Sequence, residues 1–92
     1  MKMDEVMKIN AEKGQFFFSE DTMNFFDSIV ESEELINGEY FVTSEQFSYE
    51  NVRMKRLYTV RKFDVETGGV DTVGEFQQFG SVEEAEDFIE TL

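Results

Sequence analysis

The sequence predicts an α+β fold in which a small antiparallel sheet packs against two α-helices. The runs "RLYTVRKFDV" and "VDTVGEFQQF" are rich in strand formers and flank "ETGG", whose two glycines suit a tight hairpin turn. The closing segment "SVEEAEDFIETL" instead repeats its apolar residues at helical spacing. A chain of 92 residues without proline or a flexible linker provides one core, so residues 1–92 are expected to form a single domain.

The N-terminal region predicts one helix, preceded by a segment of ambiguous type. Residues 2–9 suit either a helix or a strand, and "GQFFFS" is an apolar run typical of a short strand. In "SEDTMNFFDSIVE", Ser19 is a suitable N-cap and two acids follow it in the first turn, so we expect a helix over this segment. The apolar residues at helical spacing are Met23, Phe26, Ile29 and Val30.

Three strands are expected after this helix, joined as an antiparallel meander. Asn37 and Gly38 are a turn signal, and β-rich residues follow from about Glu39 to Phe47. The polar loop "SYEN" leads to the second strand, and the "ETGG" hairpin leads to the third. "GQFFFS" would add a fourth, N-terminal strand. Because apolar residues fall on both faces, either helices cover both or one face leaves aromatic side chains exposed.

The C-terminal helix has the clearest local signature. Ser81 and Glu84 have the spacing of an S-x-x-E capping box. One face of the helix carries the apolar residues, which are Val82, Ala85, Phe88, Ile89 and Leu92.

The residue inventory argues against an enzyme. The chain has no cysteine and no histidine, so it lacks disulfides, thiolate zinc sites and the usual general base near neutral pH. Ser19 and Ser81 are assigned to helix caps, and no EF-hand loop is present, so we predict no catalytic residue, no metal site and no cofactor. No apolar run suits a signal peptide or a membrane span, which predicts a soluble, cytoplasmic protein without a membrane partner.

The charge is strongly negative and unevenly distributed. The net charge is -13, and residues 20–50 and 64–92 each carry nine acids and no cation. Residues 51–63 carry five of the eight cations and no acid. Such a field would repel nucleic acid and anionic lipid and attract basic protein surfaces.

Acids of the two predicted helices are the candidate partner-binding residues. On the terminal helix, four acids recur at i, i+3, i+4 and i+7, and like charges at i, i+4 oppose helix stability by a few tenths of a kcal/mol. They form either a solvated face that maintains solubility or a surface that binds a basic cleft otherwise used by nucleic acid. The candidates are Glu83, Glu86, Asp87 and Glu90 on this helix, and Asp27, Glu31, Glu33 and Glu34 on the first helix and at its end.

The cationic stretch 51–63 supports two interpretations. Basic and aromatic residues on a sheet are typical of binding to RNA or single-stranded DNA. Alternatively, the cations neutralise acids on neighbouring strands, and a position between two acidic strands favours this second interpretation. The nucleic-acid-binding candidates are Arg53, Lys55, Arg56, Tyr58, Arg61 and Lys62, and the neighbouring acids are Glu39, Glu45, Asp71 and Glu75. The segments "QFFFS" and "MNFFDS" are expected in the core.

Three segments, "KGQFFFSEDTMNFF", "YFVTSEQF" and "LYTVRKFDVETGGVDTVGEFQQF", resemble an uncharacterised family of small proteins from bacteriophages and mobile elements. The resemblance covers roughly residues 13–79 and contains no catalytic signature, so it implies neither an activity nor functional residues. It implies a phage-like setting, in which small acidic proteins without cysteine often inhibit host restriction or CRISPR machinery by mimicking nucleic acid.

These observations lead to one functional hypothesis and two alternatives. The hypothesis is an accessory protein that binds a basic nucleic-acid-handling protein of the host, with inhibition of that protein as the further expectation. The first alternative is a nucleic-acid-binding module on the sheet surface, centred on residues 53–63. The second is a structural domain that assembles, for example as a homo-oligomer, through an exposed edge or aromatic face.

Overall fold

The computed structural model describes all residues, 1–92, and confirms the α+β prediction. It contains three helices and two antiparallel sheets. No helix is long and apolar enough to cross a membrane. The helices are α1 (Met3–Glu12), α2 (Glu20–Phe25) and α3 (Val82–Glu90); the strands are β1 (Ile29–Val30), β2 (Tyr40–Glu45), β3 (Ser48–Tyr49), β4 (Val52–Arg53), β5 (Leu57–Phe63) and β6 (Val70–Val73).

The main sheet has the strand order β1-β2-β5-β6 and is antiparallel throughout. The predicted meander is therefore confirmed as β2, β5 and β6. Its register places Phe41 opposite Arg61 and Val42 opposite Val60. Because neighbouring strand positions alternate between faces, Phe41 and Arg61 share one face, while Val42 and Val60 share the other.

Each face of the main sheet supports its own hydrophobic core. On the α1 face, Met3 and Val6 of α1 pack with Phe41 and Phe63 of the sheet. On the opposite face, the α3 face, Ala85 and Ile89 pack with Val42 and Val60 of the strands. Helices thus cover both faces, and the strands β2 and β5 contribute to both cores.

The N-terminal predictions are only partly correct. Residues 2–9 lie in or next to α1, and "GQFFFS" is not a strand but a pair of turns that leads into α2. Gly14, at φ 77°, follows the end of α1. The rings of Phe17 and Phe18 pack against each other and against the ring of Phe41. Aromatic packing, and not strand pairing, therefore determines the positions of these two side chains.

The first predicted helix is shorter than its apolar spacing suggested. Its cap is as expected, since the Ser19 hydroxyl accepts a hydrogen bond from the Thr22 amide. The helix nevertheless ends at Phe25, and Asp27 adopts φ 50°. Ile29 and Val30 then form β1, the fourth strand of the sheet, because β-branched side chains suit extended pairing with β2.

The "SYEN" segment is also more ordered than a loop. Ser48 and Tyr49 pair with Arg53 and Val52 in a separate two-stranded hairpin. Glu50 and Asn51 form its turn, with φ values of 49° and 67°, as a two-residue hairpin turn of type I′ requires.

The cap of the terminal helix and the β5–β6 hairpin are as predicted, but Leu92 lies beyond the end of α3 and is 53% exposed, and β6 ends at Val73. The Ser81 hydroxyl accepts a hydrogen bond from the Glu84 amide at 3.1 Å, and the Glu84 carboxylate accepts one from the Gly80 amide at 3.0 Å. In the hairpin turn, Gly68 adopts φ 72°, and its carbonyl accepts a hydrogen bond from the buried Asn10 side chain at 2.7 Å. This bond ties the turn to α1.

Candidate functional site

The acidic residues of α3 form an exposed stripe. Because Ala85 and Ile89 face the sheet, the acids on the other side of this helix face solvent. None of them lies within 4.0 Å of a cationic group. The stripe is thus available as a set of hydrogen-bond acceptors for a basic surface. Its members are Glu83, Glu86, Asp87 and Glu90, and we call them the α3 stripe.

The acids predicted at the first helix do not join this stripe. Asp27 accepts hydrogen bonds from Arg53 at 3.1 Å and from Arg56 at 3.0 Å. Glu31 lies after β1 and accepts a hydrogen bond from the Ser44 hydroxyl at 2.7 Å. Asp27 and Glu31 are therefore engaged within the chain and do not share a helix face.

Glu33 and Glu34 are exposed, but they lie beside the start of α1. The Glu33 carbonyl accepts a hydrogen bond from the Met3 amide at 3.0 Å, and the backbone of Glu34 forms an isolated antiparallel β-bridge with that of Lys2. Since α1 packs on the face of the sheet opposite α3, these two acids and the α3 stripe belong to different regions of the surface.

Most cations of the stretch 51–63 are paired within the molecule. Arg61 lies 3.2 Å from Glu45, and Lys62 lies 3.6 Å from Glu39, as the counter-charge interpretation predicted. Asp71 is opposite Lys62 in the strand register but forms no ion pair. Neither does Glu75. Two further cations, Arg53 and Arg56, share Asp27, so among the five only Lys55 forms no ion pair.

Tyr58 is not arranged as a base-stacking platform. It is only partly exposed and packs with the α3-side core, next to Phe79. Its backbone exchanges two hydrogen bonds with Phe79, at 2.9 and 3.0 Å. Arg61 lies on the opposite face of β5, so the nucleic-acid-binding candidates do not form one continuous surface.

One ion pair of the cationic stretch is almost fully buried, which the charge distribution along the sequence did not predict. Glu45 has no exposed surface and Arg61 is 8% exposed. The Glu45 carboxylate accepts hydrogen bonds from the hydroxyls of Thr43 and Thr59 at 2.6 and 2.7 Å and from Arg61 at 3.2 Å. Arg61 also donates to the hydroxyls of Thr43 and Thr72 at 3.0 and 2.6 Å. Every polar side-chain atom buried in this network has a partner.

Burial lowers the pKa of Arg61 below its ordinary value, while the charge of Glu45 and the hydrogen bond between the two side chains oppose this change. An arginine nevertheless retains its charge near neutral pH. The signal for this network in the sequence is the alternation of polar residues along two apolar strands. Thr43 and Glu45 lie two positions apart on β2, and Thr59 and Arg61 lie two positions apart on β5. All four side chains therefore lie on one face of the sheet.

Not all of the phenylalanine-rich segments enter a core. Phe16 and Phe25 are 73% and 77% exposed, which contradicts the prediction for these two side chains. Phe26 lies at the centre of a surface cluster, with its ring centroid 4.6 Å from that of Phe25, 5.1 Å from Phe47 and 5.3 Å from Phe76. Phe47 and Phe76 are also exposed.

A groove opens beside this cluster, between α2 and the sheet, and we call it the α2 groove. It has a volume of about 350 Å³, and Arg61 forms part of its lining. Its apolar lining residues are Phe17, Met23, Phe26 and Phe76, and its hydroxyls come from Thr22, Ser28 and Thr72. The protein has no group of three or more carboxylates that could hold a metal ion.

Comparison with known proteins identifies a family but no function. No curated protein and no solved structure matches the chain. A family model, described as a family of unknown function (DUF7447), matches residues 2–90. Because this match includes both cores and all three helices, the chain belongs to the DUF7447 family.

Proposed function

We propose that the protein binds a basic, nucleic-acid-handling protein through the α3 stripe and thereby blocks access of nucleic acid to that partner. The observation that carries the proposal is the contrast between two sets of charges. Four of the five clustered cations are paired internally, whereas the four acids of the α3 stripe have no cationic partner. The acids are consequently free to meet an external cation.

The stripe also works against the helix that carries it. Acids at i and i+4 repel one another, and an acid near the C-terminus opposes the helix dipole by about 0.3–1 kcal/mol. The last turn of α3 contains no basic residue to offset this effect. A pattern that local stability disfavours is consistent with selection for an external contact or for solubility, and the experiment below separates these two.

A setting in phages or mobile elements fits this proposal. Carboxylates along a short helix present negative charges at intervals of a few ångströms, as a nucleic-acid backbone does, so a basic cleft accommodates either ligand. Inhibition of restriction or CRISPR machinery by nucleic-acid mimicry is the specific form that we propose.

The test is a capture experiment with charge-matched variants. The stripe variant replaces Glu83, Glu86 and Glu90 by Gln and Asp87 by Asn. A control variant makes the same change of net charge at the exposed acids Asp4, Glu5, Glu50 and Glu66. Wild-type protein and both variants are immobilised and incubated with bacterial lysate. We expect a basic protein that wild type and the control retain, that the stripe variant loses, and that duplex DNA or added salt elutes.

Equal retention by the two variants would reject the stripe as the contact surface and favour its role in solubility. A gel-shift titration with duplex and single-stranded oligonucleotides at low salt provides the second arm. We expect no retention of oligonucleotide, because the cations are paired and the net charge is -13. Retention that is lost on substituting Arg53 and Arg56 would instead support direct nucleic-acid binding.

A further inference from the structure

We propose that the α2 groove binds a linear segment of a partner protein in which a large apolar side chain is flanked by arginine or lysine. This inference rests on the proposed function and extends it, because it adds a second contact surface and specifies what the partner presents there. Three features support it: the aromatic walls, the unused donors of Arg61 and the charge around the groove.

The walls of the groove suit a single large apolar side chain. Phe17, Met23, Phe26 and Phe76 supply them, and a volume of about 350 Å³ lies at the lower end of the range for ligand sites. Aromatic side chains are enriched at the centres of protein interfaces, where they contribute much of the binding energy. Here they are preassembled, since the ring centroids of Phe26 and Phe76 are 5.3 Å apart.

Arg61, which lines the groove, has hydrogen-bond donors that the fold does not use. A guanidinium has five N–H groups, and Arg61 uses three of them, toward Thr43, Thr72 and Glu45. Its central carbon lies 5.2 and 5.5 Å from the ring centroids of Phe17 and Phe76, both of which line the groove. One N–H remains on each terminal nitrogen of this nearly buried side chain.

The group that accepts hydrogen bonds from these N–H groups of Arg61 should be uncharged. Glu45 already neutralises Arg61, and no other cation lines the groove, so nothing there compensates a bound anion. A backbone carbonyl next to the inserted side chain meets this requirement. A peptide segment can therefore supply both an apolar side chain for the aromatic lining and a carbonyl for the free N–H groups of Arg61.

The surroundings select for a basic segment. A shallower depression of about 290 Å³ adjoins the groove through Thr22 and Phe26, and it is lined by Asp21 and the exposed Phe25. A carboxylate next to an open aromatic face attracts arginine and lysine by charge and by cation–π interaction. A second copy of the chain is disfavoured as occupant, because each copy has a net charge of -13.

The α2 groove and the α3 stripe lie on opposite faces of the sheet. Arg61 and Phe41 share the face of the groove, whereas Val42 and Val60 face α3. A partner that contacts both regions must reach both faces of the sheet. Variants at one region can therefore be compared with variants at the other without direct contact between them.

The chain contains no tryptophan, which provides a selective probe. The probe is a short synthetic peptide with one tryptophan between arginines, and its fluorescence is followed during titration with the protein. Entry of the indole into the groove should shift its emission to shorter wavelength. A peptide with glutamates in place of the arginines should give no shift, and an unlabelled arginine peptide with alanine in place of tryptophan should compete poorly.

Three variants locate the binding. Thr22→Phe fills the mouth of the groove and Phe25→Ser removes the exposed ring, and each should weaken binding about tenfold or more. Phe16→Ser is the matched control, because Phe16 is 73% exposed but does not line the groove. It should bind as wild type does. The stripe variant should also retain the emission shift, since the stripe lies on the other face.

The possible outcomes distinguish the two proposals. An absent emission shift, or equal binding by Thr22→Phe and Phe16→Ser, would overturn the groove proposal and leave the α3 stripe untouched. The groove proposal would also be overturned if the stripe variant lost binding of the tryptophan peptide while the groove variants retained it. If the groove binds as expected but the stripe variant still captures the partner protein, the stripe proposal fails and the groove is the principal contact.

Discussion

Loss of the charge of Glu45, which pairs with Arg61 in the interior, should cost far more stability than loss of the charge of Glu39, which lies just before β2 and pairs with Lys62 at an exposed position. The change is Glu45→Gln, which preserves shape but removes the charge, and the comparison is Glu39→Gln. Glu45 has no exposed surface, whereas the side chains of Glu39 and Lys62 are 52% and 47% exposed. The two substitutions are chemically identical, so their difference reports the surroundings.

The expected magnitudes follow from burial. Removing one partner of a buried ion pair leaves the other charge uncompensated and costs about 3–5 kcal/mol, and we expect the lower end because glutamine retains hydrogen-bonding capacity. An exposed pair contributes about 0–1 kcal/mol. A domain of this size has a free energy of unfolding of roughly 5–14 kcal/mol. Glu45→Gln should therefore lower Tm by about 12–24 °C, while Glu39→Gln should change it by about 0–8 °C.

Urea denaturation and thermal unfolding, each followed by circular dichroism, measure both variants against wild type. A double variant, Glu45→Leu with Arg61→Met, removes both charges and should recover part of the loss, because no isolated charge remains buried. The reasoning would be refuted if Glu45→Gln and Glu39→Gln had equal free energies of unfolding, or if the double variant were less stable than Glu45→Gln.

Three further predictions test local features by the same measurements. Ser81→Ala removes the N-cap of α3 and should cost about 1 kcal/mol, and a loss near zero would contradict the capping role. Gly68→Ala should cost more than Gly38→Ala, although both glycines have similar positive φ values, 72° and 74°. The added Cβ at Gly68 would lie 2.7 Å from the Cβ of Lys13, whereas at Gly38 it meets nothing within 4 Å; equal losses would exclude this contact. Glu90→Gln removes an acid from the last turn of α3 and should stabilise the protein by about 0.3–1 kcal/mol at low salt, with no gain at high salt.

The elements that could be predicted are those whose signals are local. The cap at Ser81, the glycines of the β5–β6 hairpin and the apolar face of α3 depend on residues close in sequence, and the structure contains all of them. The first helix was predicted too long, because Ile29 and Val30 match helical spacing by position. Pairing with β2, which is distant in sequence, determines their actual conformation.

The same reasoning explains what could be anticipated of the candidate sites. Charge counting indicated that the cations would be paired, but not which acid would be enclosed, since Glu39 and Glu45 both lie on or next to β2. The carboxylate of Glu45 is enclosed by partners on β5, Thr59 and Arg61, which are distant from it in sequence. The α2 groove has no signature in the sequence, because its lining residues come from segments far apart.

The strands β2 and β5 lie at the centre of the main sheet and contribute to both cores. Their amides are covered by helices from two independent directions, so loosening of α1 or α3 alone leaves one cover in place. Hydrogen exchange should consequently be slowest along this pair and faster in each helix layer. The segment between these strands spans residues 46–56. Closing this loop costs conformational entropy of the chain, and formation of both helix layers during folding depends on that step.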